Sequence, residues 1–456
     1  MLNYLTTLSR NTRIACNLSL LFLMLSCGKE EEGGYYDTSW DLPRNTNIIW
    51  DKTLGGTQHE EILNDLVPAQ DGGTIAVIDV TTANKLIVVK QDATGNVVWE
   101  KVVDGEKDDS FATVLETTSG EIMVACSSNS GIGRDKSESL IGATDIWLVK
   151  LDASGNKIWD KTLGGTGTEY VTRILQTPNG YLISGTSSSS VSGNKTSENK
   201  GKSDLWIIEL DLDGNILWDK TYGGDYYDTL NDIIPTQDGG YLLASSSLSG
   251  ATADKSDETF GLYDYWILKI DATGELQWDT SFGTNQEDEP RALLEWPDGS
   301  YSVLGITNAF DPVGTKQSQA IGRLDAWLIN FGAEGSLNWE TTLGTPGKDL
   351  LCSMVKTSSN RIFVGLTTNG ALDFDPNYPD ALYYNGLIFE LNALGEVLQE
   401  TLIAGNNADY LTDLAVTKDN NLCAGFFSNS EAYGDKSEDT WPKDRDTWIV
   451  KFDLNW

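Results

Sequence analysis

Asp145-Ile-Trp-Leu-Val-Lys-Leu-Asp152 and Lys157-Ile-Trp-Asp-Lys-Thr-Leu163 flank the turn Ala153-Ser-Gly-Asn156, and their apolar–polar alternation predicts a β-hairpin. Past Gly164-Gly165, Glu169-Tyr-Val-Thr-Arg-Ile-Leu-Gln176 reads as a third strand. Pro178-Asn-Gly180 then turns the chain, and Tyr181-Leu-Ile-Ser-Gly-Thr186 reads as a fourth. The unit is four antiparallel strands in about sixty residues. Beyond the N-terminus no stretch shows a sustained 3.6-residue apolar period, so the expected class is all-β.

This unit repeats. Variants of Gly-Asn-x-x-Trp-Asp-Lys-Thr-Leu-Gly-Gly recur at Trp50, Trp99, Trp159, Trp218, Trp278 and Trp339, with a degenerate copy at Leu398, spaced by 49, 60, 59, 60, 61 and 59 residues. A unit that repeats at a fixed period buries its apolar face against its neighbours. Four-stranded units arranged around an axis make a β-propeller. Two further registers also count seven copies. Asn84, Asp145, Asp204, Asp264, Asp325, Asn385 and Asp446 open the Asp-x-Trp strand, and Glu60, Asp109, Glu169, Asp228, Asp288, Asp349 and Asp409 follow the Gly-Gly pair or its equivalent. The first Trp-Asp-Lys-Thr copy precedes every other strand. The segment Asn47 to Leu54 is therefore expected to complete the last blade of a seven-bladed ring, sparing an edge that would template aggregation.

The run from Asp-x-Trp through Trp-Asp-Lys-Thr-Leu-Gly-Gly to Asn-Gly-Tyr-Leu-Ile-Ser-Gly-Thr resembles the bacterial seven-bladed β-propeller repeat over nearly all of residues 46–456. That resemblance implies the fold and no single activity, because propellers host many unrelated functions. Asp152-Ala-Ser-Gly-Asn-Lys-Ile-Trp159 and Asp271-Ala-Thr-Gly-Glu-Leu-Gln-Trp278 are also similar to the docking turn of quinoprotein-type repeats, with a turn one residue shorter and seven blades in place of eight.

The first 26 residues read as an address. Arg10 and Arg13 precede an apolar run, Leu18 to Leu25, too short to span a bilayer, and the run ends at Ser26-Cys27. This resembles a bacterial lipoprotein signal with Met24 where leucine is usual, which implies lipidation at Cys27. Gly28-Lys-Glu-Glu-Glu32 resembles an acidic surface-export signal, or is simply a solvated linker start. The expected organisation is a signal peptide over 1–26, a lipidated acidic tether over 27–45 and the propeller over 46–456. The implied location is the outer membrane, held by the lipid anchor and facing the cell surface.

The chain carries 32 basic and 68 acidic residues, a net charge of −36, which becomes −38 without residues 1–26 and their two arginines. Such a surface repels nucleic acid and anionic headgroups, so DNA and RNA are excluded as expected partners. Cys126, Cys352 and Cys423 each fall in an apolar strand of a different blade and read as buried free thiols.

Catalysis finds little support. His59 is the single histidine, so neither a Ser-His-Asp arrangement nor a His-ligated metal cluster can be assembled, and no phosphate-cradling Gly-x-x-x-x-Gly-Lys-Ser loop is present. The long loops between blades and between second and third strands fall on one face, and the tight turns on the other. Binding residues concentrate on loops held by a rigid scaffold, so the long-loop face is the expected binding surface.

Three features of that face carry alternatives. The carboxylates Glu60, Asp109, Glu169, Asp228, Asp288, Asp349 and Asp409 either ring the channel mouth, holding Ca²⁺ or a cationic group, or cap the turns after Gly-Gly by accepting backbone N–H bonds. The loops Asp135-Lys-Ser-Glu138, Lys195-Thr-Ser-Glu198, Asp254-Lys-Ser-Asp257 and Asp435-Lys-Ser-Glu438 either satisfy themselves or bridge a glycan or partner chain. In blade six, Asp373, Asp375, Asn377 and Asp380 have oxygen ligands at a spacing compatible with Ca²⁺, although Tyr378 stands where an EF-hand needs glycine and two prolines stiffen the segment.

The expected function is a surface-displayed binding or scaffold module for protein or carbohydrate, with no catalytic residues and no cofactor other than a candidate Ca²⁺. The alternatives are an enzyme, either a carboxylate hydrolase or a quinoprotein-like oxidoreductase, and a structural part of an envelope complex.

Overall fold

The computed structural model describes residues 47–55, 60–370, 383–440 and 445–454, without the side chains of residues 351 and 352. The leader with Cys27, the histidine His59 and the segment holding Asp373, Asp375, Asn377 and Asp380 lie outside the described residues.

Seven four-stranded antiparallel sheets form the blades. Blade 1 runs from Glu61 to Val103, blade 2 from Asp109 to Leu163, blade 3 from Glu169 to Tyr222 and blade 4 from Asp228 to Phe282. Blade 5 runs from Asp288 to Leu343 and blade 6 from Asp349 to Ile403. Blade 7 takes three strands from Asp409–Phe452, and its fourth is Ile48–Leu54, paired antiparallel to Asp446–Phe452. The clasp expected from the sequence is thus present.

Burial explains the sequence pattern of each strand. The third strand of a blade, such as Asp145–Leu151, is buried at every position and reads as an apolar run, whereas the outermost strand Lys157–Leu163 starts exposed and ends buried. The core lies between blades: Leu86 and Val88 of blade 1 pack with Val124 and Trp147 of blade 2.

Two tryptophan sets do different work. Outer-strand Trp99 packs under the hairpin of the next blade, where Gly155 (φ +81°) would place a Cβ 3.1 Å from the indole, and its Nε1 donates to the Ala153 carbonyl at 3.1 Å. Trp50 repeats this against Gly95, donating to Ala93 at 3.0 Å. The Asp-x-Trp tryptophans Trp147, Trp206, Trp266, Trp327 and Trp448 are fully buried. Their indole N–H donates to the acid of Trp-Asp: Trp206 Nε1 reaches Asp219 at 2.9 Å and Trp147 Nε1 reaches Asp160 at 3.1 Å.

Asp219 also accepts from the Ser197 N–H at 3.0 Å and hydroxyl at 2.6 Å, and from the Thr196 N–H at 3.1 Å, pinning the Ser-rich loop to the outer strand of its own blade. Asp219→Ala orphans these buried donors together. We expect a loss of about 2–4 kcal/mol, read as a lower urea midpoint with unchanged slope.

Three registers shift from those expected. Blade 1 begins its inner strand at Glu61, whose N–H donates to the Arg445 carbonyl as that of Glu169 does to Thr144, so Glu61 and not Glu60 is the equivalent acid. One extra residue between Gly55 and that strand causes the slip. Lys85, not Asn84, opens the third strand of blade 1, because the connection from Val80 is short and Asn84 occupies its turn at φ +52°. Gln399, not Leu398, stands opposite Glu390 where Trp159 stands opposite Lys150, four residues past the hairpin glycine in both.

Candidate functional site

Asp109, Glu169, Asp228, Asp288, Asp349 and Asp409 each open an inner strand and are at most 1% exposed. Asp228 accepts the Gly224 N–H at 2.7 Å and the Ser247 and Ser249 hydroxyls at 2.5 and 2.9 Å. Asp109, Glu169 and Asp409 make the same set of bonds from Gly105, Gly165 and Gly405. These acids cap the turn after Gly-Gly, facing protein. Glu60 sits one residue outside that register, half-buried. Burial pushes the pKa of Asp349 and Asp409 up to about 6, against the hydrogen bonds that oppose it.

The Asp-Lys-Ser loops turn inward. Lys136, Lys195, Lys255, Lys316 and Lys436 are no more than 2% exposed. Lys195 Nζ donates to Thr221 Oγ1 at 2.7 Å and stands 5.8 Å from the Trp206 ring centroid. Desolvation pushes all five lysines below their ordinary pKa. The acid ending the loop caps the outer strand: Glu138 accepts from Thr162 N–H at 2.6 Å and Glu438 from Thr53 N–H at 2.9 Å. Lys316 of blade 5, outside the recognised loops, takes the same position.

Among the polar residues that these loops leave exposed stand several large apolar ones. Ile132 (67% exposed), Val191, Phe260 and Phe310 (61% exposed) project from connections between second and third strands, and Tyr226 and Tyr227 from the connection between blades 3 and 4. All lie on the long-loop face. Tyr226 and Tyr227 meet edge to face at 4.8 Å.

A second site, missed from the sequence, is the central channel. A cavity of 490 Å³ is lined by the inner strands of all seven blades, from their middles to their tight-turn ends. Four residues beyond each inner-strand acid the chain reads Asp65, Thr113, Arg173, Asp232, Ala292, Ser353 and Asp413. Six of these positions stitch one blade to another. Asp65 accepts the Thr113 hydroxyl at 2.7 Å and the Val114 N–H at 2.8 Å, and Asp232 accepts the Leu293 N–H at 2.8 Å. Asp413 accepts the Ser353 hydroxyl at 2.9 Å and the Leu66 N–H at 3.1 Å. Arg173 Nε lies 2.9 Å from Asp232 Oδ1.

Asp232, with Asp65 and Asp413 behind it, holds the Arg173 guanidinium above its ordinary pKa. Channel solvent reaches 45% of the Arg173 side chain. Burial, then the neighbouring Asp65, pushes Asp413 up to about 7. Among the described residues no group of three or more His, Cys, Asp or Glu side chains is arranged to hold a metal ion. Cys126 and Cys423 are buried free thiols, with burial pushing Cys423 up to about 12.

The strand topology defines the class, a seven-bladed β-propeller of four-stranded blades. No protein-family model matches the sequence. Over 312 residues the chain is 26% identical to the regulatory protein FlaEY of Caulobacter vibrioides, covering 62% of this chain and 32% of that protein, less than two thirds of the relative's length. Similar solved structures include a protein of unknown function from Dyadobacter fermentans, at 10% identity and TM-score 0.49 over 90% of this chain and 99% of that one. Another is a catalytically inactive virginiamycin B lyase from Staphylococcus aureus with quinupristin, at 10% identity and TM-score 0.49 over 89% and 99%.

Proposed function

We propose that this protein is a surface-exposed, lipid-anchored lipoprotein whose propeller is a non-enzymatic binding or scaffold module for protein or carbohydrate. The observation that supports it is the set of exposed side chains on the long-loop face, Ile132, Val191, Tyr226, Tyr227, Phe260 and Phe310, four of them aromatic. Exposed aromatic rings on rigid loops supply large contact area at low entropic cost, against sugar rings or apolar partner residues. The acid ring and the Asp-Lys-Ser loops are occupied in holding the blades together, which leaves these outward groups to meet a ligand.

The test has two arms. Protease added to intact cells is expected to cleave the full chain, and Cys27→Ser to release it from the membrane. On glycan and protein arrays, the detergent-solubilised chain is expected to give a signal that Phe260→Ala combined with Phe310→Ala lowers about tenfold. Protection of the chain on intact cells would replace the surface reading with that of an envelope scaffold.

A further inference from the structure

We infer that the central channel is a binding site for a small organic cation, an aliphatic amine or guanidine, seated with its charged head against Asp65 and Asp413. Sevenfold symmetry makes the acids at the start of the inner strands alike, with identical capping roles. Four residues further on the symmetry breaks: acids in blades 1, 4 and 7, a guanidinium in blade 3, and neutral residues elsewhere. These positions stitch neighbouring blades with a different pair of groups at each seam, and what they share is one open axial volume.

Charge selects the ligand's sign. Three carboxylates and one guanidinium meet at the middle of the channel. The other two cations in the cavity wall are engaged: Arg291 pairs with Glu289 at 2.6 Å, and Lys356 Nζ donates to the Glu295 carbonyl. Asp65 and Asp413 are adjacent, since Asp413 accepts the N–H of Leu66, and Arg173 contacts the third acid, Asp232. The acidic excess therefore sits at blades 7 and 1, beside open volume. A net charge of −36 on the whole chain concentrates cations in such a cleft and disfavours anions. Arg173 among the acids disfavours a bare metal ion, which would need those same oxygens.

Shape selects the rest of the ligand. Toward the tight-turn end, the half-buried Val67, Ile234, Val355 and Val416 form an aliphatic collar around the cavity. A charged head at the acids with a methylene stem along this collar fits 490 Å³, within the usual range of small-molecule sites. The site is independent of the long-loop face, so either reading can fail without the other.

The experiment is calorimetric titration of the full chain with agmatine and cadaverine at low salt, pH 8. Pentanol and pentanoate serve as neutral and anionic controls. One-to-one binding of the cations alone is expected. Asp65→Asn and Asp413→Asn, whose carbonyls can still accept the Val114 and Leu66 N–H bonds, should each weaken it about tenfold or more. Affinity should also fall from pH 8 to pH 6 as Asp413 takes up a proton. Val416→Arg, which threads its own guanidinium through the collar, should abolish binding while the thermal midpoint, followed in every variant, stays in place. No binding at low salt overturns the inference, and so does affinity that survives the Asp65→Asn/Asp413→Asn double variant or Val416→Arg, since the cation would then be held elsewhere on the acidic surface.

Discussion

The thermal midpoint of the protein is expected to rise by about 2–5 °C when the pH is lowered from 8 to 5. Six buried acids drive this. Burial is the first cause in each, lifting Asp204, Asp349 and Asp409 to about 6 and Asp79, Asp264 and Asp413 to about 7. In the unfolded chain these groups titrate near 3.8, so between about pH 4 and 7 the folded state holds protons that the unfolded state has released. Their contribution is complete below the unfolded value and is lost as pH rises through 6 and 7. Each pKa unit is worth about 1.4 kcal/mol, and mutual repulsion among the acids reduces the sum to a few kcal/mol. Exposed turn acids act oppositely. Asp238, where burial is outweighed by the hydrogen bonds from Lys269, Thr236 and Gly240 together, is lowered to about 2, and Asp152 is lowered by its Asn156 contacts; their contribution disappears only below about pH 4, where the midpoint should turn down. General relief of surface repulsion acts in the same direction as the buried acids, but 0.5 M NaCl screens the surface and leaves the buried set intact. Scanning calorimetry from pH 4 to 8 in that salt decides the matter, with Asp264→Asn expected to shrink the rise. A flat or falling midpoint on acidification would sink the assignment of buried, protonated acids.

Much of this architecture was legible because the same physical demand recurs in every blade. An indole between blades needs an acceptor for its N–H, a hairpin under an indole needs glycine, and an edge strand needs a partner; hence Trp147 with Asp160, Gly155 with Trp99, and Ile48–Leu54 at the end of blade 7. Legibility failed where a blade departs by one residue. An insertion after Gly55 moved the acid from Glu60 to Glu61, and the apolar Leu398 drew attention from Gln399, the residue that a count from Gly395 reaches. Burial of Lys195 was hidden by its neighbours, since Lys-Thr-Ser-Glu looks like a solvated loop until Thr221 and the Trp206 ring are brought beneath it. The channel was missed for another reason. Asp65, Arg173, Asp232 and Asp413 hold a constant place in the repeat, but they differ from one another, and a search for sameness passes over them.

Deleting the clasp should have the largest effect of any change on stability. A chain beginning at Gly56 is expected to lose cooperative unfolding or to melt at least 10 °C lower, with a rise in aggregation. The clasp contributes a ladder to Asp446–Phe452 from Leu54↔Thr447 to Ile48↔Phe452. It also brings Asp51, which accepts the Trp448 indole at 3.2 Å and the Ser437 N–H at 2.7 Å, and Thr53, whose hydroxyl accepts from Lys436 Nζ at 2.9 Å. Without it these buried donors are orphaned at about 1–3 kcal/mol each, and the apolar contacts of Trp50 and Leu54 in the blade 7–blade 1 core are lost. The third strand of blade 7 becomes an open edge, where another chain can pair. Asp160→Ala in blade 2 removes the matching acceptor but leaves its outer strand covalently tied between two others, so its cost should remain local. The contrast tests closure rather than contact count. Adding a peptide of residues 46–55 to the truncated chain should restore the midpoint in proportion to peptide concentration, because a ligand bound only by the folded state stabilises it by mass action. A truncated chain that melts like the parent, or a peptide without effect on one that does not, would mean that the ring is held shut by its inter-blade cores and channel stitches alone.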